Sequence, residues 1–193
     1  MRFTALLPGL LLIALSLPHS VATNQDAQHE YVGSQQCRKC HIREFRSWEQ
    51  TKMANVFDLL KPGVRSEQKV AAGLDPDKDY TKDAECLPCH TVGYGKPGGF
   101  VNLDKTPNHA GVGCEACHGP GGTYLKDGYM TLQNNQYKKE ELVAVGLVDT
   151  VSAAQCTTCH NEDSPFVEES FVFDFAANKE LGTHEKYPLK FQH

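Results

Sequence analysis

No cysteine of the 193-residue chain lies outside a C-x-x-C-H motif, so none is left to carry a lipoprotein anchor. Basic charge is in deficit. Lys and Arg number 19 against 24 Asp and Glu, a formal charge of −5, and no strong basic stripe occurs. That argues against a nucleic acid partner. Past the N-terminus no run approaches the roughly 20 apolar residues of a membrane-spanning helix. The hydrophobic share is a modest 40% and includes that N-terminus. Methionine is scarce too: Met53 and Met130 are the only two after Met1.

What is present is a fourfold pattern: Cys37-Arg38-Lys39-Cys40-His41, Cys86-Leu87-Pro88-Cys89-His90, Cys114-Glu115-Ala116-Cys117-His118 and Cys156-Thr157-Thr158-Cys159-His160. C-x-x-C-H is the attachment signature of c-type haem. Two thiols form thioethers to the vinyl groups, and the adjacent histidine reaches the iron as proximal ligand. Two Cys₄ zinc sites, or four short disulfides, would also consume eight cysteines. Neither explains His41, His90, His118 and His160 together. Four haems on one small chain point to electron transfer.

The N-terminus reads as an export signal. Arg2 precedes an apolar run from Ala5 to Leu17, and Ser20-Val21-Ala22 offers small residues for cleavage. Residues 1–22 are therefore expected to be removed and the protein to act in the periplasm or otherwise outside the cytoplasm; an uncleaved anchor is the alternative. Residues 23–33 read as a flexible lead-in and 34–193 as one tetrahaem domain. Removing Arg2 brings the charge near −6. An acidic surface suits a basic redox partner, or serves solubility alone. About 43 residues remain per haem, so the porphyrins must form much of the core.

The expected fold is mainly α: short helices and long loops wrapped around four covalently attached haems. Ser34 can cap a helix carrying the first motif. Apolar spacing continues helically from Ile42 to Leu60, where Lys61-Pro62-Gly63 stops it. A short helix is expected over 65–72 and a turn at Asp75-Pro76-Asp77. Glycines at 93, 95, 98 and 99 around Pro97 make Thr91–Leu103 a small β-hairpin or an Ω-loop. Gly119-Pro120-Gly121-Gly122 forbids a helix after the third motif. Tyr137–Leu147 is helical, Thr150 or Ser152 caps the fourth motif's helix, and a helix runs on to Leu181. Phe166, Phe171, Phe173 and Phe175 suit haem-edge packing.

Outside the motifs and the leader, the common distal ligands are His29, His109, His184, His193, Met53 and Met130. Composition does not assign them. His29 and His193 lie at the ends, where a histidine is ordinarily solvated. An isolated methionine is ordinarily packing.

Several stretches resemble the tetrahaem cytochrome c family of the hydroxylamine oxidoreductase electron acceptor from ammonia-oxidising bacteria. They are Trp48-Glu49-Gln50-Thr51, Leu74 to Thr81, Gly95-Lys96-Pro97-Gly98-Gly99, Gly111 to Gly121, and Phe173-Asp174 leading to His184-Glu185. They cover most of the mature chain in the same order. The resemblance implies a mainly helical fold, overlapping haem pairs and a role near nitrogen metabolism. It implies that His184 is the distal ligand opposite His160 and that the haem on His90 is open. Where the family has distal histidines for the third and first haems, this chain has Met53 and, nearby, Met130. Both become distal candidates, which would place the haems on His41 and His118 at higher potential. The segment from Pro165 to Asp174, which in the family covers the open site, is shorter here. His109 is a weaker candidate to close the His90 haem.

The leading expectation is a periplasmic electron carrier exchanging electrons with other cytochromes, an oxidoreductase donor, and a quinol-linked or terminal acceptor. The alternative is a redox enzyme acting on a small nitrogen oxide at an open His90 haem. Glu85 and Tyr94 are its nearest acid–base candidates, and both read more simply as surface residues. A conducting filament has no specific feature in its favour.

Overall fold

The computed structural model describes residues 29–126, 128–134, 136–162, 164, 173–181 and 183–189. Its helices are α1 Ser34–Arg38, α2 Ile42–Trp48, α3 Ser66–Ala71, α4 Leu87–His90, α5 Cys114–His118, α6 Lys139–Ala144, α7 Ala153–Thr157 and α8 Phe175–Asn178. The longest has seven residues. Helices this short are not stable alone in water, so tertiary contacts must hold each one. No helix among the described residues is long and apolar enough to cross a membrane.

Each motif occupies a helical turn. His41 N–H donates to Cys37 O at 2.9 Å, and His160 N–H to Cys156 O at 2.9 Å. Positions i, i+3 and i+4 share one helix face, so one turn presents both sulfurs and the imidazole together. Ser152 N–H bonds Gln155 Oε1 at 2.7 Å and so starts α7 as expected.

Three local expectations change. The helix foreseen from Ile42 to Leu60 ends at Trp48 and resumes only as a 3₁₀ turn, Val56–Leu60. Asn55 Nδ2 donates to Glu49 O at 3.1 Å and Thr51 O at 2.8 Å, and Ala54 N–H donates to Thr51 Oγ1 at 3.2 Å. Short polar side chains here compete with the helix for backbone groups. Ser34 is the first helical residue rather than the cap; Gly33, at φ 81°, holds the cap position. The Ser34 hydroxyl instead accepts from Cys114 N–H at 3.3 Å.

Between Thr91 and Leu103 the small β-hairpin does not form, and the chain takes the other expected form, a closed Ω-like loop. The one bridge in this region joins Thr91 to Ala110. Phe100 N–H returns to Val92 O at 2.9 Å and pinches the loop shut. A Cβ on Gly99 would sit 1.8 Å from Gly93 O, so only glycine fits that neck.

The lead-in joins the packed body from residue 29 onward; residues 23–28 lie outside the described part. Tyr31 N–H bonds Pro97 O at 3.0 Å, and Glu30 O accepts from Gly122 N–H at 2.8 Å. Side-chain packing is thin. Phe57, Leu60, Tyr80, Leu87 and Phe100 form one small cluster beneath the second motif. A cluster of that size does not hold a chain of this length, in keeping with an interior built around the groups the motifs carry.

Candidate haem-binding site

The four motif helices touch in an order different from their order in the chain. The Cys37 and Cys114 thiols share a hydrogen bond, which raises the first and lowers the second. The Cys89 and Cys159 thiols also interact directly; burial is the main cause that pushes Cys89 up, to about 11. Cys117 is raised by burial and then by the neighbouring Cys156. Gln155 Nε2 reaches Cys117 O at 2.9 Å. The motifs thus run first, third, fourth, second. As thioethers the sulfurs would no longer titrate, but their placement remains.

Glu115, between the third pair of cysteines, locks the first junction. It is 2% exposed. Its carboxylate accepts from Val32 N–H at 3.0 Å, Gly33 N–H at 2.8 Å and Gly121 N–H at 2.7 Å. It therefore fixes the entry to α1 and the exit from α5 together. Nothing in the motif pattern foretells this; an acid between two cysteines reads as an ordinary exposed position.

Two of the motif histidines have the form a metal requires. His90 Nδ1 lies 2.7 Å from Val56 O and His118 Nδ1 3.3 Å from Val148 O. Facing a carbonyl, Nδ1 must carry the proton, so Nε2 keeps its lone pair for iron. Burial lowers both pKa values and keeps the rings neutral. The His160 ring stacks on Phe173, centroids 4.8 Å apart. Among the described residues no three His, Cys, Asp or Glu side chains converge as a zinc site needs.

The distal candidates fall differently from expectation. His184, expected opposite His160, has its ring beside that of His118, centroids 6.2 Å apart. That separation leaves room for one iron between two rings, since metal–imidazole bonds are about 2 Å. His184 Nδ1 lies 2.8 Å from Glu185 O, again leaving Nε2 for metal. Glu185 N–H bonds Ser47 Oγ at 2.8 Å, and the Arg43 guanidinium lies 3.9 Å from the Tyr187 ring centre. These contacts bring the C-terminal segment back onto α2.

Met53 is half-buried, its carbonyl accepting from Val112 N–H at 2.9 Å just ahead of the third motif. Met130 is half-buried, its N–H bonded to Tyr124 O at 3.0 Å. Burial, and after it the neighbouring Cys37, raise the Tyr124 phenol. Tyr137, further along, is raised by burial and by Cys40. The loop bearing Met130 therefore flanks the first motif.

His29 is not a solvated terminal residue. It is buried, with Nδ1 2.7 Å from Thr123 Oγ1 and its ring against Gly146. His193 lies outside the described residues, as do Phe166 and Phe171. His109 is 6% exposed, and neither ring nitrogen has a partner in the polypeptide. Its carbonyl accepts from Val92 N–H near the second motif. Its ring, however, turns to Gly33 and into the field of Glu115, at the junction of the first and third motifs. His109→Leu is accordingly expected to leave the spin state of the His90 haem unchanged. Nitric oxide titration monitored by electron paramagnetic resonance checks this; a new open site on His90 would contradict it.

Paired thiols on four short helices, each followed by a histidine and with Nε2 left available on His90 and His118, define a multihaem c-type cytochrome. Residues 36–119 match the family model described as cytochrome c554 and c-prime. Cytochrome c-554 of Nitrosomonas europaea is 33% identical over 185 residues, covering 85% of this chain and 79% of that protein. The structure is similar to the reduced state of cytochrome c554 from the same organism, with a TM-score of 0.72 and 32% identity over 84% of this chain and 88% of that one. The chain belongs to the cytochrome c554 family. It binds four c-type haems covalently through its cysteine pairs.

Proposed function

We propose that the protein is an exported, periplasmic electron carrier whose haems pass electrons along the order first, third, fourth, second. The observation that carries this is the adjacency of the motifs in that sequence, through the Cys37 and Cys114 thiols, the Gln155 side chain on Cys117 O at 2.9 Å, and the Cys159 and Cys89 thiols. The haems supply one-electron chemistry; the polypeptide supplies ligands, burial and spacing. His41, His90, His118 and His160 are the proximal ligands. His184 serves the iron on His118. One iron takes two axial ligands, so His184 replaces Met53 as the distal candidate on the third motif, and Met130 serves the first. A second histidine on the third haem places it at lower potential than the methionine first foreseen there. Other redox proteins are the partners, consistent with the cytochrome c-554 relative.

Partial reduction of the holoprotein tests the carrier reading. After one electron equivalent is delivered, the spectral redistribution among haems is expected to have a rate independent of protein concentration. A rate proportional to concentration would mean that electrons move only by collision between molecules.

A further inference from the structure

The chain is acidic overall, yet its α1–α2 face is basic. Arg38, Lys39, Arg43, Arg46 and Lys52 are all exposed there, with Glu44 and Glu49 between them in the chain and Glu185 brought alongside by its bond to Ser47. No carboxylate among the described residues pairs with any of the five. Arg38 instead lies over Phe45 and reaches Gln35, and Arg43 lies over Tyr187. In the middle of this group sits the first motif, with Ile42 beside it at 44% exposure. An apolar centre within a charged rim is the anatomy of a transient docking site.

The position matters as much as the charge. The first motif ends the line of motif contacts. The other end, the second motif, has the opposite sign around it: Asp75, Asp77, Asp79, Asp83 and Glu85 against Lys78 and Lys82. Lys78 is already held by Asp83 at 3.0 Å.

We propose that the α1–α2 face docks an acidic redox protein, which exchanges electrons at the first-motif haem. The inference rests on the electron-carrier reading and reverses the basic partner that net charge alone suggests. In each encounter one electron passes, the partner is oxidised by one equivalent, and one haem iron is reduced. No bond forms or breaks. Opposite charges at such a face raise association rates by roughly 10- to 1,000-fold at low salt.

The test uses the holoprotein with four haems and a reduced flavodoxin, a small acidic one-electron donor, as probe. The second-order rate constant of haem reduction is measured against ionic strength. It is expected to fall as salt rises. Lys39→Glu with Arg46→Glu should lower the low-salt rate about tenfold or more and flatten the salt dependence. Lys39→Gln with Arg46→Gln should fall between. Asp77→Lys with Glu85→Lys should leave it within about twofold. A low-salt rate unmoved by both Lys39/Arg46 pairs would overturn the proposal, as would a rate raised mainly by the Asp77/Glu85 pair. Failure of the carrier reading shows separately, as concentration-dependent redistribution after reduction by a small inorganic donor.

Discussion

Glu115→Ala is expected to destabilise the holoprotein by about 3 kcal/mol, a large share of the roughly 5–15 kcal/mol typical of a folded domain. The side chain is buried and accepts from Val32, Gly33 and Gly121. Alanine leaves all three donors without an acceptor, and each buried donor so stranded costs about 1–3 kcal/mol. Relief from burying a carboxylate offsets part of that loss. The damage falls on the junction of α1 and α5, so the first and third haems should lose their mutual packing before the second and fourth. Glu115→Gln keeps the shape and one acceptor oxygen but turns an amide N–H₂ toward backbone donors; it should lie between alanine and the native protein. Guanidinium unfolding followed by haem absorbance measures both. Midpoints for both variants within about 1 kcal/mol of the parent would show that the carboxylate does not hold the junction.

His184→Ala is expected to convert one haem in four from low-spin to high-spin, and that haem is the one on His118. The ring pair at 6.2 Å is the reason. His184→Met should keep six-coordination and raise the potential of the same haem, because a thioether is a softer ligand than imidazole. Electron paramagnetic resonance of the oxidised protein reads the first effect and a spectroelectrochemical titration the second. The assignment to the third motif is checked in a chain lacking the fourth attachment site through Cys156→Ser and Cys159→Ser. There His184→Ala should still generate the high-spin signal. Its disappearance would return His184 to His160.

Features set by neighbouring residues were legible in the sequence. The four attachment sites, the cap at Ser152, the stop after Leu60 and the helix at Ser66–Ala71 depend on a few consecutive side chains. The break after Trp48 is also local, but it depends on Asn55 and Thr51 out-competing the helix for carbonyls and N–H groups; apolar periodicity does not register that competition. The remaining features are long-range. Ser34 bonds Cys114 across 80 residues and Glu115 bonds Gly33 across 82. His184 reaches the third motif because Glu185 and Tyr187 anchor on α2. His29 is buried because Thr123 and Gly146 come to it. No window of sequence contains both partners of any of these contacts.

The crossed order of the motifs has a consequence for how the protein is made. A chain emerging N-terminus first presents its first two attachment sites well before the third, yet those two stand at opposite ends of the order first, third, fourth, second. The first waits for the third, and the second waits for the fourth. Closing such long loops carries an entropic cost that only the completed contacts offset. A half-made chain would therefore hold haems as isolated islands. It could be reduced at one site without passing the electron on. On the proposed electron path the third and fourth motifs are the middle links: losing an end motif would shorten that path, while losing a middle one would cut it.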